Sequence, residues 1–523
     1  MKKIVFAILI SLNSLAQSPN IQWQKTLGGT DYEGASSILQ TSDGGYIVVG
    51  NSVCNDGDVS GNHGENDIWV VKLNATGVIL WQKALGGTRS DYANSIQQTS
   101  DGGYIVAGNT QSNNGDVSGN HNTGTAYFDD VWVLKLNATG LIVWQKTLGG
   151  TDNDIAKSIQ QTSDGGYIVA GDTYSGDGDV TGYHGFGFLD AWVIKLNATG
   201  GIVWQKTLGG TSTDSTVNIQ QTMDGGYIVA GGTGSNNGDV TEQHGVFDCW
   251  VVKLNALGEI TWQKTYGGTN QESATSIQQT LDGGYIVVGN TYSNDGDVSG
   301  NHGDLDVWIL KLNATGTIVW QKALGGTGTD NAYAIQQRLD GSYIVAGFTY
   351  SNDGDVSGNH TTDNSLADYW VLKLDYQGTI IWQKTIGGTD GDYATCLQQT
   401  SDSGYIVAGI TGSNDGNVTG NHGNGDYWVV KLSTDTLDTV AFESVKNSIV
   451  FPNPSRSYFV IQNKELSSED FVYNIIDLTG RIILSGNSKY NETINIESLK
   501  TGNYIIQIEI KNRFIETKKL TKI

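Results

Sequence analysis

The stretch Asn55-Asp56-Gly57-Asp58-Val59-Ser60-Gly61-Asn62-His63-Gly64 gathers carboxylate, carboxamide and hydroxyl oxygens into one short segment. Numbered from Asp56, it offers Asp56, Asp58 and Ser60 at positions 1, 3 and 5, Gly61 at position 6 and Asp67 at position 12. That spacing lets alternate side chains converge on a hard cation while the glycine takes the sharp turn, so calcium is the candidate cofactor. The frame recurs as Asp295, Asp297, Ser299, Gly300 and Asp306, and as Asp415, Asn417, Thr419, Gly420 and Asp426. A fourth copy keeps Asn237, Asp239, Thr241 and Asp248 but carries Glu242 where the glycine should be. Asp and Asn also serve local backbone in turns, and the aspartate before each following Trp persists where the frame fails, so a purely structural reading stands beside the metal one.

Histidine recurs in the same stretches, as His63, His121, His184, His244, His302, His360 and His422, which are all seven in the chain. One imidazole per repeat lies too far from the next to share an ion at ligand distances of ~2 Å, so loop packing is the expected role. No catalytic constellation stands out. Carboxylates are plentiful but equivalent, whereas a glycosidase needs two at a defined separation. No Ser-His-Asp or Cys-His grouping is present either, and the expectation is a protein that is not an enzyme. The net charge of −24 excludes a nucleic-acid partner, which would require a basic face.

These segments are positioned by a long repeat. Trp-Gln-Lys begins at Trp23, Trp81, Trp144, Trp204, Trp262, Trp320 and Trp382, at spacings of 58 to 63 residues. A second Trp follows an aspartate by two positions at Trp69, Trp132, Trp192, Trp250, Trp308, Trp370 and Trp428, which accounts for all 14 tryptophans. Each period holds four β-like segments, in the first copy 37–40, 46–49, 68–73 and 78–83. Ser42-Asp43-Gly44-Gly45 and Asn74-Ala75-Thr76-Gly77 supply the turns of two hairpins. No segment has helical periodicity. The expected fold is therefore all-β, a seven-bladed β-propeller over residues 17–434 with four-stranded blades. The first Trp-Gln-Lys strand, near 21–27, precedes the first full repeat and the last repeat stops after its third strand, so the N-terminal strand is expected to close the ring. The recurring Trp and Tyr are read as the core between blades.

Residues 1–16 read as a signal peptide: Lys2-Lys3, the apolar run 4–12, then Ser14-Leu15-Ala16 with cleavage after Ala16. No stretch approaches the ~20 apolar residues of a membrane span. Cys54, Cys249 and Cys396 sit in unrelated places of the repeat and make no disulfide framework. After a linker at 435–448 the composition changes: residues 438–523 hold 11 basic and 10 acidic residues, so the excess negative charge lies on the repeats.

Within 449–523, Phe451-Pro452-Asn453-Pro454, Asp477-Leu478-Thr479-Gly480-Arg481, Leu499-Lys500-Thr501-Gly502-Asn503-Tyr504 and Lys518-Lys519-Leu520 follow in order. This set resembles the type A sorting domain of the type IX secretion system of Bacteroidetes. The resemblance implies a small Ig-like β-sandwich whose motif residues Pro452, Asn453, Pro454, Gly480, Arg481, Gly502, Tyr504, Lys518 and Lys519 belong to recognition by the outer-membrane translocon. It implies a protein secreted or attached at the outer-membrane surface, with the type IX machinery as partner. More loosely, Leu136 to Trp144 is similar to the tryptophan-docking motif of quinoprotein-like propellers, a likeness of blade packing only. Thr41-Ser42-Asp43-Gly44-Gly45 is similar to the Asp-box of sialidases, itself a structural turn, and the repeats carry only Arg89 and Arg338 where a sialidase needs an arginine cluster.

The expected function is a secreted or cell-surface binding module for an extracellular glycan or protein. Its alternatives are a secreted hydrolase on the same scaffold and a purely structural surface protein. Glycan binding would call on aromatic side chains in the loops, with Tyr174, Tyr183, Phe186, Tyr292 and Tyr350 as candidates.

Overall fold

A computed structural model describes residues 18–121, 127–185, 187–361, 365–435, 449–462, 470–477, 482–510 and 513–523; residues 1–16, read above as a signal peptide, and most of 435–448, read as a linker, lie outside these ranges. Strand β1 (Ile21–Leu27) comes first, followed by β2 (Glu33–Gln40), β3 (Tyr46–Ser52), β4 (Asp67–Leu73) and β5 (Ile79–Leu85), of which β2 to β5 form one antiparallel sheet in that order. The same order recurs in β6–β9 (91–148), β10–β13 (154–208), β14–β17 (214–266), β18–β21 (272–324) and β22–β25 (330–386). The seventh sheet takes β26 (Asp392–Gln399), β27 (Tyr405–Thr411) and β28 (Asp426–Leu432) and completes itself with β1, which pairs antiparallel to β28. Ile21 faces Leu432 and Leu27 faces Tyr427 in that register.

Turn chemistry sets the hairpins. Asp43 Oδ1 accepts from the Thr41 hydroxyl and, at 2.9 Å, from the Gly45 N–H, while Gly44 takes φ 81°. In the next hairpin Asn74 Oδ1 accepts from the Thr76 and Val78 N–H groups, and Gly77 takes φ 79°. A Cβ on Gly77 would stand 2.9 Å from the Trp23 ring of the seventh sheet, so this position must be glycine for two reasons.

Trp-Gln-Lys is explained by packing. Trp81 lies edge-on to Tyr104 of the following sheet at 6.1 Å, and Gln82 Oε1 accepts from the Trp69 indole at 2.8 Å. The Val-x-Lys-Leu lysine reaches back to the turn: Lys72 Nζ donates to Asp43 at 3.1 Å and to the Leu73 carbonyl at 3.1 Å. Residues of β3 and β4 such as Ile47, Val48, Val70 and Trp69 are wholly buried between neighbouring sheets.

The chain divides into two compact units, 1–437 and 438–523. In the second, β29 (Ile449–Phe451), β30 (Tyr458–Gln462) and β33 (Thr493–Asn495) make one sheet. β31 (Asp470–Ile476), β32 (Ile482–Lys489), β34 (Gly502–Ile510) and β35 (Arg513–Lys522) make the other. Phe459, Ile461, Ile475, Ile494, Ile506 and Leu520 form the core the two sheets share. Among the described residues no helix is long and apolar enough to cross a membrane.

Candidate functional site

The first strand of six sheets ends in a Gln-Gln pair and that of β2 in Leu39-Gln40, and these residues join one sheet to the next. The backbone N–H of Gln221 donates to Gln160 Oε1 at 2.6 Å, that of Gln279 to Gln220 at 2.7 Å, and that of Gln337 to Gln278 at 2.6 Å. The series crosses from the last sheet to the first, since Gln40 N–H donates to Gln398. A backbone N–H can only donate, so the facing amide atom is fixed as oxygen. A second series runs the other way: Ser42 N–H donates to Gln98 at 2.9 Å and Ser401 N–H to Gln40 at 2.8 Å. At Leu39 the first series is interrupted by an apolar side chain. Gln97, Gln160, Gln220, Gln278, Gln336 and Gln398, together with Leu39, line a central cavity of about 320 Å³.

The long connections between second and third strands lie beside the start of the first strands, and there the acids are buried. Asp91 accepts from the Gly87 N–H at 2.7 Å, the Ser112 hydroxyl at 2.9 Å and the Thr110 hydroxyl. Asp67 Oδ2 accepts from the backbone N–H of His63 at 2.9 Å and pairs with its Nδ1 at 2.6 Å. Oδ1 of Asp67 is buried with no hydrogen-bond partner among the described residues. A Cβ on Gly86 would lie 2.5 Å from Asp91 Oδ2 and 2.7 Å from Asp67 Oδ1, so two carboxylates from adjacent sheets crowd the same glycine. Burial raises the pKa of Asp91, Asp330 and Asp392 to about 6 and that of Asp154 to about 7, with the neighbouring sheet's aspartate adding to each.

Each histidine bonds to the aspartate that opens the third strand: His121 to Asp130 at 2.6 Å, His302 to Asp306 at 2.8 Å, His422 to Asp426 at 2.6 Å. Two imidazoles also approach an acid of the next sheet, His121 Nε2 to Asp179 at 3.6 Å and His302 Nε2 to Asp355 at 4.0 Å. Partial burial opposes the charged form at His302, but the bond to Asp306, with Asp355 and Asp330 behind it, outweighs burial and raises its pKa.

The oxygens of the calcium frame bond to three different segments of the chain. Asp56 accepts from Thr30 N–H at 2.9 Å and its hydroxyl at 2.7 Å, Asp58 from Gly28 N–H at 3.4 Å, Ser60 from Gln82, and Asp67 from His63. Asp295, Asp297, Ser299 and Asp306 repeat this with Thr269, Gly267, Gln321 and His302. Asp415, Asn417, Thr419 and Asp426 repeat it with Thr389, Gly387, Gln24 and His422. Among the described residues there is no group of three or more His, Cys, Asp or Glu side chains placed to hold a metal ion.

Grooves between neighbouring sheets repeat as well. One of about 500 Å³ is lined by His184, Gln205, Lys206 and Asp239, and one of about 370 Å³ by the matching His244, Gln263, Lys264 and Asp297. Of the loop aromatics, Tyr183 is tied into its own loop by its hydroxyl on the Phe188 carbonyl at 2.6 Å. Phe186 lies outside the described residues, Tyr292 is 49 % exposed, and Tyr350 hydrogen-bonds Tyr393 at 3.1 Å. The bond to Tyr393 joins Tyr350 to a cluster with Tyr333 and Phe348 that the repeat pattern does not reveal, because none of these aromatic residues recurs at its position in all seven sheets.

In the second unit the sorting motifs meet across the chain. Asn453 Nδ2 donates to the Lys519 carbonyl at 2.7 Å, Thr521 N–H returns to Asn453 Oδ1 at 2.8 Å, and Ser455 N–H donates to the Thr521 carbonyl at 2.8 Å. Gly502 pairs with Lys522, Ile506 with Lys518 and Ile505 with Lys519, while the Tyr504 hydroxyl caps the Lys500 carbonyl at 2.8 Å. Pro452 and Pro454 flank Asn453 in this junction, and Gly480 and Arg481 lie outside the described residues.

Residues 449–522 match the family model described as the secretion system C-terminal sorting domain. Regulatory protein FlaEY of Caulobacter vibrioides is 24 % identical over 412 residues, covering 71 % of this chain, and the chain spans 42 % of that protein's length. Sqt1 from Chaetomium thermophilum is similar in structure, with a TM-score of 0.40 and 10 % identity over 79 % of this chain and 100 % of that one. The Synechocystis apocarotenoid oxygenase has a TM-score of 0.35 and 12 % identity over 81 % and 96 %. The chain thus carries a type IX sorting domain and is exported through that system to the cell surface or the extracellular space, with the secretion machinery as a partner.

Proposed function

We propose that the repeat unit is a closed seven-bladed β-propeller that acts outside the cell as a non-enzymatic binding module for a glycan or protein. One observation carries this reading: the recurring acids, imidazoles and amides are engaged in bonds that hold one sheet to the next, as in Asp91 with Gly87, Ser112 and Thr110, or Gln398 with Gln40. A hydrolase needs one acid set apart from its copies, whereas such repeated bonding makes a rigid scaffold whose loops are free to vary. Closure by β1 is supported by its pairing with β28 and by the packing of β2 against β26 and β27. In this reading residues 1–16 are removed on export.

The full chain is tested on a printed glycan array and by cross-linking to cell-surface proteins, each with and without the millimolar calcium that the Asp56, Asp295 and Asp415 frames would take, alongside an assay of glycan cleavage. Saturable binding with the ligand recovered intact is the expected result; turnover of a bound ligand overturns the reading. Deletion of 21–27 tests closure, because it bares the edge of β28 and should lower the melting temperature and cause aggregation.

A further inference from the structure

Strands β2, β6, β10, β14, β18, β22 and β26 each carry a β-bulge at one position, skipping residues 36, 94, 157, 217, 275, 333 and 395 in the seven sheets. A bulge re-aims a side chain without disturbing the rest of the ladder. The residues there are Ser36, Asn94, Lys157, Val217, Thr275, Tyr333 and Thr395, so this position varies while the strand around it repeats. Asn94, Thr275 and Thr395 bond to carbonyls of the next sheet, Ala156, Ala332 and Ala35. Tyr333 instead is 39 % exposed and lies 5.9 Å from Phe348 with the rings inclined by 33°.

Phe348 is itself a departure, standing where the other sheets have Asn51, Asn109, Asp172, Gly232, Asn290 and Ile410. It packs edge-on to Tyr393 of the last sheet at 4.9 Å and to Tyr350 at 6.0 Å, and the two tyrosine hydroxyls share a 3.1 Å hydrogen bond. Burial, helped by the Tyr350 hydroxyl and by the Asp392 and Asp390 carboxylates, raises the Tyr393 pKa, so it remains a phenol able to donate. Four aromatic rings bearing three hydroxyls therefore meet at one junction, between the sixth and seventh sheets.

We propose that Tyr333, Phe348, Tyr350 and Tyr393 form a stacking platform for the pyranose ring of a neutral glycan. This rests on the binding-module reading and names its ligand class. The C–H face of a sugar ring is weakly positive and meets the negative face of an aromatic ring, while its hydroxyls exchange hydrogen bonds with tyrosine and with the exposed Asp390 beside the platform. Neutral sugars are favoured by charge, because a chain of net charge −24 repels uronate and sulfated polymers.

The test is a printed array of neutral and acidic oligosaccharides probed with the full chain, followed by calorimetric titration of the tightest neutral oligosaccharide. Tyr333→Ala should weaken that binding at least tenfold and Tyr333→Trp should retain it. Tyr92→Ala, at the position of Tyr393 in the second sheet, should leave it within twofold; melting curves confirm that each variant is folded. Unchanged affinity in folded Tyr333→Ala, or hits confined to acidic glycans, overturns the platform and leaves the module standing. A silent array also overturns the platform, and the module falls with it only if cross-linking finds no protein ligand.

Discussion

The two ends of each sheet in the repeat unit use the same residue type in opposite ways. At the short turns, aspartate is the exposed half of an ion pair whose lysine is buried: Asp101 is 63 % exposed and Lys135 6 %. The Thr99 hydroxyl first, then Lys135, lowers the Asp101 pKa to about 2, and Thr162 with Lys195 does the same for Asp164. At the long-loop end Asp91, Asp154, Asp330 and Asp392 are buried, bonded to hydroxyls and backbone N–H groups, and burial raises their pKa values. The negative charge of this unit is therefore not one property. Turn acids stabilise the fold as anions; these buried loop-end acids strain it as anions, because desolvation exceeds what their neutral donors return.

pH separates the two ends most strongly, since several sheets contribute at each end. An acid whose pKa rises on folding binds more protons folded than unfolded, so its contribution is full below the unfolded value and is lost as pH climbs through the folded one. For Asp91, Asp330 and Asp392 that loss begins near the ordinary value of 3.8 and is complete at about 6, and for Asp154 at about 7. The raised pKa of His302 acts in the same direction. Turn acids work the other way, losing their contribution as pH falls from the unfolded value toward about 2. The melting temperature should therefore rise as pH is lowered from neutral to about 5 and fall again below about 3.5. A monotonic profile by calorimetry would erase the distinction.

Substitution comes next in size. Asp130→Ala strips the acceptor from both the backbone and the ring of His121 at a buried site and should cost about 2–3 kcal/mol. Asp101→Ala, at a mostly exposed pair whose lysine keeps the Leu136 carbonyl, should cost about 1 kcal/mol. Equal losses in urea melts would show that burial does not set the two ends apart.

Much of the scaffold is legible because the repeat states each strand seven times and each turn six or seven times. The four strands per period, the Asp-Gly-Gly and Asn-x-Thr-Gly turns and the pairing of residues 21–27 with the last repeat all follow from local pattern. What stays hidden is contact between sheets. Gln160 and Gln221 read as two polar residues on separate strands, and nothing local says that one amide receives the other's N–H. The calcium frame shows the same gap: the spacing of Asp56, Asp58, Ser60 and Asp67 is visible, but their partners Thr30, Gly28 and Gln82 lie on other elements. Tyr333 escapes notice in the sequence because a repeat draws the eye to what recurs, and the platform is made of what does not. In the second unit, which has no repeat, family resemblance alone links Asn453 with Lys519, and the bond between them is visible only in three dimensions.

The smallest effect separates the two ends most cleanly. Asp91→Asn keeps the shape of a loop-end acid and removes its charge. The Asn oxygen can face the Gly87 N–H, and the Thr110 hydroxyl, a rotor, can turn to accept from the amide in place of donating. Because the charge removed was one that burial opposed, stability at pH 7 should change by less than about 1 kcal/mol in either direction. The slope of stability against pH between about 4 and 6 should shrink by the share of that one sheet, the others being unaltered. Asp101→Asn on the turn face also keeps shape, yet it gives up the ion pair with Lys135 and should lower stability at pH 7. If Asp91→Asn were the more damaging of the two, the loop-end carboxylates would be stabilising as anions, and something positive, a cation among them, would have to sit where Asp67 Oδ1 and Asp91 Oδ2 crowd Gly86.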